Sequence, residues 1–198
     1  MLIDIVTYDG LDEMDALGPL EVFRRAGQSG ADVLVRLATR QPQQLVTGAY
    51  GLVFQPDGVL ANGDRDVLLV PGGGWAARAA TGAWAQFQQG DWLPALREAG
   101  KRSRVVAGVC TGTMLLAHAG LVGSRPASTH HAARADLAAT GAEVRNERVV
   151  DDGDLVTSGG VTSGLDLALW LVEREISAEL ADSIATGMEY ARYRPSAG

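Results

Sequence analysis

The sequence predicts an α/β domain, a mostly parallel sheet sandwiched between helices. Three observations lead there. Short apolar, β-branched runs alternate along the chain with helix-forming stretches, the order that builds a parallel sheet covered on both faces. One run, Val67-Leu68-Leu69-Val70, is wholly apolar and is stopped by Pro71-Gly72-Gly73-Gly74, as a central strand would be. The stretch Gly108-Val109-Cys110-Thr111-Gly112 places G-x-C-x-G where a buried strand passes into a helix.

The elements follow in order. Leu2 to Thr7 reads as the first buried strand, turned by Asp9-Gly10. Gly18-Pro19 opens a helix over Leu20 to Ala26, with proline in the first turn and Gly27 as the stop. Val33 to Ala38 is a second strand, and Leu45 to Gln55, broken by Gly48 and Gly51, reads as a hairpin. After the strand at Val67 to Val70 comes a helix from Asp91 to Arg102, capped by Asp91. Arg104 to Val109 is the next strand, and Thr111 to Ala119 the helix after it, ended by Gly120. Ala132 to Ala139 is helical. Glu143 to Val150 and Leu155 to Ser158 are strands about the turn Asp151-Asp152-Gly153-Asp154, and Thr162 to Arg174 and Ser177 to Arg192 are helices. No repeat or linker divides the chain, so a single domain over 1–198 is expected.

Composition narrows the function. The chain of 198 residues is 46% hydrophobic and 21% charged, ordinary for a globular domain with a full core. Its formal net charge is -7, and its densest basic run is Lys101-Arg102-Ser103-Arg104, which argues against a nucleic-acid partner because phosphate binding needs a basic face. A lone cysteine excludes an intramolecular disulfide. The opening Met1-Leu2-Ile3-Asp4-Ile5 carries an acid where a signal peptide would be basic and then apolar, so a cytoplasmic protein is expected. Val105 to Val122 holds no Asp, Glu, Lys or Arg and touches the lower limit of a membrane span, roughly 18 residues. Its β-branched first part and helix-forming second part read instead as a buried strand followed by a buried helix.

The chemistry centres on Cys110. Flanking glycines let the chain turn sharply between strand and helix, and the nucleophile is held in a strained conformation that points it out of the sheet. A helix N-terminus there would favour the thiolate and offer N–H groups to developing negative charge. The alternative is a buried structural cysteine. Free N–H groups of Gly72, Gly73 and Gly74, at the same carboxyl edge, would complete an oxyanion hole; an ordinary turn is the competing reading. Trp75 either walls a substrate pocket or is a core or interface aromatic.

These residues carry a resemblance. Leu11 to Phe23, Val70-Pro71-Gly72-Gly73, Val109-Cys110-Thr111-Gly112, Ala127-Ser128-Thr129-His130-His131 and Gly159 to Asp166 together resemble the ThiJ/PfpI superfamily, in order and over nearly the whole chain. The resemblance implies a flavodoxin-like, class I glutamine amidotransferase-like fold with a nucleophile elbow. Within it, Asp15-Ala16-Leu17-Gly18-Pro19 and the Cys110-Thr111 pair resemble the isonitrile hydratases, where many other members carry Glu near the Asp15 position. The same motifs occur in sensor domains of AraC-type regulators, which continue into a helix-turn-helix module; this sequence ends at Gly198 without one.

The implied activity is addition of water to an isonitrile through a Cys110 thioimidate, with Asp15 as proton donor and base and Thr111 holding Asp15 or the substrate. A carboxylate beside a thiolate should bind its proton more tightly than usual. Alternatives stand beside each role. Asp15 could cap the helix after Gly18, Glu21 is the competing carboxylate or a surface acid, and His130 either approaches the sulfur or starts a helix. Asp166 caps or supports the long helix after Gly164 and has no catalytic role. Other activities of this fold remain open, of glyoxalase, deglycase or amidase type, as does a cysteine redox sensor without turnover. The resemblance implies a small-molecule substrate, no cofactor or metal, no membrane, and a homodimer with the helix near Gly18 to Gly27 as its contact.

Overall fold

The computed structural model describes residues 1–195. Strands β1 (Leu2–Val6), β2 (Leu34–Thr39), β5 (Gly58–Val59), β6 (Arg65–Val70), β7 (Ser103–Val109), β10 (Val149–Asp152) and β11 (Leu155–Ser158) form one seven-stranded sheet in the order β10-β11-β7-β6-β1-β2-β5. All neighbours are parallel except β10 and β11. The hairpin expected within 45–55 is β3 (Val46–Thr47) against β4 (Val53–Phe54), and β8 (Pro126–Ala127) pairs with β9 (Glu143–Val144) in a separate ribbon.

Both faces of the sheet are covered. Helices α1 (Glu13–Gln28), α6 (Ser163–Glu175) and α7 (Ala178–Gly187) pack together on one side; α2 (Ala83–Gln89), α3 (Trp92–Gly100) and α4 (Gly112–His118) pack together on the other, with α5 (Arg134–Ala139) against α4. Burial from both sides explains why the central strands lack alternation: Val67 to Val70 is entirely buried, as are Ile3 and Ile5 beside it. The segment 105–122 is β7 followed by α4, and no helix among the described residues is long and apolar enough to cross a membrane.

Helix α1 begins earlier than the sequence suggested. Asp12 is its N-cap, accepting the Met14 N–H at 3.2 Å, and Pro19 lies inside the helix rather than at its start. The proline ring withholds one hydrogen bond from the Asp15 carbonyl. Burial of Ala16, Leu20, Val22, Phe23 and Ala26 offsets that loss, and Gly164 of α6 lies close to Pro19, where an added Cβ would stand 3.3 Å from the ring. Asp91 makes no cap bond to α3 and pairs with Arg40 instead. Helix α2 had no counterpart in the sequence reading, the stretch from Glu143 to Val150 divides between β9 and β10, and the last helix stops at Gly187 rather than Arg192.

The sheet's rims are short or guarded. β5 has two residues, and β10 ends in Asp151 and Asp152, which pair with Arg174 and Arg125. The chain runs outward from β1 to β2 on one side and returns through β6 on the other. The carboxyl ends of β1 and β6 therefore flank the crevice where ligands bind in open α/β sheets.

Candidate active site

Four connections at this carboxyl edge meet around one sulfur. The first is the turn from β7 into α4. Cys110 has φ +56°, a left-handed conformation that a residue with a Cβ adopts at a cost. The surroundings fix it there: its N–H is shared between the carbonyls of Ser158 and Gly159 at 3.2 and 3.1 Å, and its carbonyl accepts the Thr129 hydroxyl at 2.8 Å. Glycine at 112 is obligatory, because a Cβ there would run into the Val70 carbonyl oxygen.

The second is α1, which carries Asp15, fully buried, in its first turn. Asp15 Oδ2 accepts the Gly72 N–H at 3.0 Å; Oδ1 is buried with no hydrogen-bond partner of ordinary geometry. The Cys110 thiol lies close enough to the carboxyl for each to alter the other's proton affinity. Burial, then the charge of Asp12, pushes the Asp15 carboxyl well above the usual carboxylate range, against the Gly72 N–H and the thiol, which favour its ionised form. The sulfur departs from the sequence expectation. Burial first, and Asp15 second, raise the thiol, and the Thr111 N–H at the helix start only partly opposes them. Cys110 and Asp15 are thus a buried pair that retains a proton.

The third connection is the triple glycine after β6. Its first two amides are already committed, contrary to the expectation of a free oxyanion hole: Gly72 N–H to Asp15, and Gly73 N–H to the Thr111 hydroxyl at 2.9 Å. They orient Asp15 and Thr111. Gly72 fits because a Cβ there would stand 2.5 Å from the Thr111 nitrogen. Gly74 turns the chain at φ +68° against Ala79 and Thr81. Trp75 is buried, donates to Asp136 at 2.7 Å, and stands edge-on to Trp84 and stacked on His118. That placement makes it a core aromatic instead of a wall of a substrate pocket.

The fourth is the loop after β11. A Cβ on Gly160 would collide with His130 Cδ2 and lie 3.3 Å from Cys110 Sγ, so imidazole and sulfur face the same small space from two sides. His130 Nδ1 accepts the Ala132 N–H at 3.2 Å, which leaves the proton on Nε2. Burial, then neighbouring His131, holds its pKa below the usual value, so it is a neutral imidazole at pH 7. It starts a short 3-10 turn and faces the site as well. Glu21 is a surface acid paired with Arg25 at 2.7 Å, and Asp166 is no cap: it accepts Arg148 Nε, the Tyr190 hydroxyl and the Tyr193 N–H.

Three participants were not singled out in the sequence. Tyr8 donates to the Pro71 carbonyl and is raised by burial and by Asp15 and Cys110. Asp12 acts electrostatically on Cys110, Asp15 and His130. Glu13 binds the N–H groups of Tyr50 and Leu52 at 2.8 and 3.3 Å, fixing the hairpin loop beside the site. The D-G turn and the cap signal at Leu11-Asp12-Glu13 were the available clues. Asp12, Met14, Tyr50, Leu52 and Val161 line an open cavity of about 470 Å³; Val161 also borders a second, of about 360 Å³, which contains His130 and Gly160. Another cavity, against α3, contains none of these groups. Among the described residues no cluster of three or more His, Cys, Asp or Glu is placed to hold a metal ion.

The geometry can be set against known proteins. The profile of the DJ-1/PfpI family matches residues 2–174. This chain belongs to that family. It is 32% identical over 194 residues to an isonitrile hydratase of Pseudomonas putida, covering 98% of this chain and 80% of that one. It is 31% identical over 190 residues to the Parkinson disease protein 7 homolog of Danio rerio, covering 91% and 92%. Among solved structures, a ThiJ/PfpI family protein from Pseudomonas syringae superposes with TM-score 0.83 at 28% identity, covering 98% of this chain and 76% of that one. The flavodoxin-like DJ-1/PfpI fold is thus shown by both sequence and structure.

Proposed function

We propose that this DJ-1/PfpI protein is an isonitrile hydratase, a cysteine-dependent hydro-lyase that acts on a small molecule in the cytoplasm. The observation that carries the reading is the buried Cys110–Asp15 pair, with Asp15 Oδ2 fixed by Gly72 and Oδ1 unengaged. An isonitrile has a carbon that accepts both a soft nucleophile and a proton, which is what a thiol and an adjoining carboxyl group supply. The sulfur lone pair forms a bond to that carbon while the thiol proton, relayed by Asp15, is delivered to the same carbon, giving an N-substituted thioimidate. Water then adds to the thioimidate carbon, its proton passing through Asp15 to nitrogen. The tetrahedral adduct collapses, the C–S bond breaks, the hydroxyl proton returns to the Cys110–Asp15 pair, and an N-substituted formamide leaves. The Thr111 N–H beside the sulfur favours the thiolate at both ends of the cycle, and its hydroxyl is held by Gly73.

The similarity to the Pseudomonas putida isonitrile hydratase supports this reading; the similarity to the Danio rerio protein keeps other chemistry of the fold as the contrasting outcome. Steady-state assays separate them. Wild type should yield formamide from an alkyl or aryl isonitrile, with turnover abolished in Cys110→Ala and lowered at least a hundredfold in Asp15→Ala, on the scale of a lost proton relay. Cys110-dependent lactate from methylglyoxal without formamide would replace the proposal by a glyoxalase. No turnover of either, with selective peroxide oxidation of Cys110, would leave a redox sensor.

A further inference from the structure

The cavity of about 360 Å³ beside His130 is also lined by Arg134, His131, Asn146, Glu147 and Arg148. Arg134 is unlike the other arginines among the described residues. Each of those has a side-chain ion pair or hydrogen bond; the Arg134 side chain has neither, and its Nε is buried without a partner. A guanidinium nitrogen that has lost water and gained no acceptor is costly, and its presence in a native fold calls for an explanation; the rest of the Arg134 side chain is partly exposed at the cavity wall. The second guanidinium, Arg148, is held rigid by Asp166, Thr162 and Tyr190. Asp166 balances its charge. Glu147 is the one carboxylate on the wall, and it forms no ion pair with Arg134. Gly160 and His130 line this cavity, and an added Cβ on Gly160 would lie 3.3 Å from the Cys110 sulfur, so the two residues stand between the cavity and the nucleophile.

We infer that Arg134 binds the carboxylate of a substrate whose reacting carbon is presented to Cys110. A planar guanidinium matches a carboxylate in two parallel hydrogen bonds, and Nε is one of the donors that such a pair uses. The inference rests on Cys110 as the nucleophile and narrows the proposed reaction to isonitriles that carry a carboxylate near the isonitrile group.

Alkylation of Cys110 tests this without any turnover. Iodoacetate and iodoacetamide are near-isosteres, one anionic and one neutral; with each, the sulfur forms a C–S bond and iodide leaves. The second-order rate constants are measured by mass spectrometry at low ionic strength, and their ratio, iodoacetate over iodoacetamide, is compared between wild type and Arg134→Gln. The ratio should fall at least fivefold in the variant. Arg134→Met, which keeps an unbranched stem, is the second variant, and circular dichroism identifies which of the two is folded. An unchanged ratio in a folded variant overturns the carboxylate site. Because the ratio needs no catalysis, it stands even where no isonitrile is hydrated, and formamide assays judge that reading separately.

Discussion

At the scale of the residue, the site depends on two groups held where isolated amino acids would not stay. Cys110 occupies the left-handed region because its N–H and carbonyl are both engaged, by the Ser158 and Gly159 carbonyls and by Thr129. A residue with a Cβ is disfavoured there by about 1 kcal/mol. Cys110→Gly should therefore be more stable than Cys110→Ala by about 1 kcal/mol, although it has the smaller side chain; urea denaturation of the two variants measures this, and the opposite order would show an unstrained turn. Asp15 is the other. Its folded pKa is raised, so the folded state keeps a proton that the unfolded chain gives up. Stability is then lost as pH rises from the ordinary aspartate range through the raised value. Asp15→Asn removes that dependence. The variant should be at least as stable as wild type at pH 7, with wild type recovering relative to it as pH is lowered towards 4. A difference that does not change with pH would mean that Asp15 is ionised in the folded protein.

At the scale of the element, the turn between β7 and α4 is the sharpest constraint. A Cβ at Gly112 would meet the Val70 carbonyl oxygen and come within 2.7 Å of that of Pro71, both backbone atoms unable to swing aside. Gly112→Ala should cost about 3 kcal/mol, read as a lowered thermal midpoint; a neutral substitution would require the strand end to be mobile. This element was legible in the sequence because its glycines are required by backbone geometry. Gly72 was legible for a similar reason, although its amide holds Asp15 instead of facing substrate. The start of α1 was harder to read. Pro19 resembled an N-terminal signal, whereas burial against α6 lets the helix run through it from Asp12. Arg134 gave no signal in the sequence, and Gly160 stood only within the stretch Gly159 to Asp166 without a role of its own, because their significance lies in what folding places beside them, 24 and 50 positions beyond Cys110 along the chain.

At the scale of the whole molecule, Asp166 joins distant parts. It is fully buried on α6 and ties Arg148, ahead of β10, to Tyr190 and Tyr193 beyond α7. Asp166→Ala removes the acceptor for two side chains and one backbone N–H together, and should destabilise the fold by about 3 kcal/mol, the cost of leaving a partly buried arginine uncompensated. Calorimetry tests this, and loss of less than about 1 kcal/mol would place the network among surface ion pairs. The sheet's margins have a further consequence. A bare strand edge invites another chain to extend it. Here one flank is a two-residue stub and the other is fenced by acids locked to arginines. Molecules crowded together meet little template for strand addition at either margin of the sheet, so the parallel architecture that brings the buried sulfur to the carboxyl edge does not carry with it a tendency to polymerise.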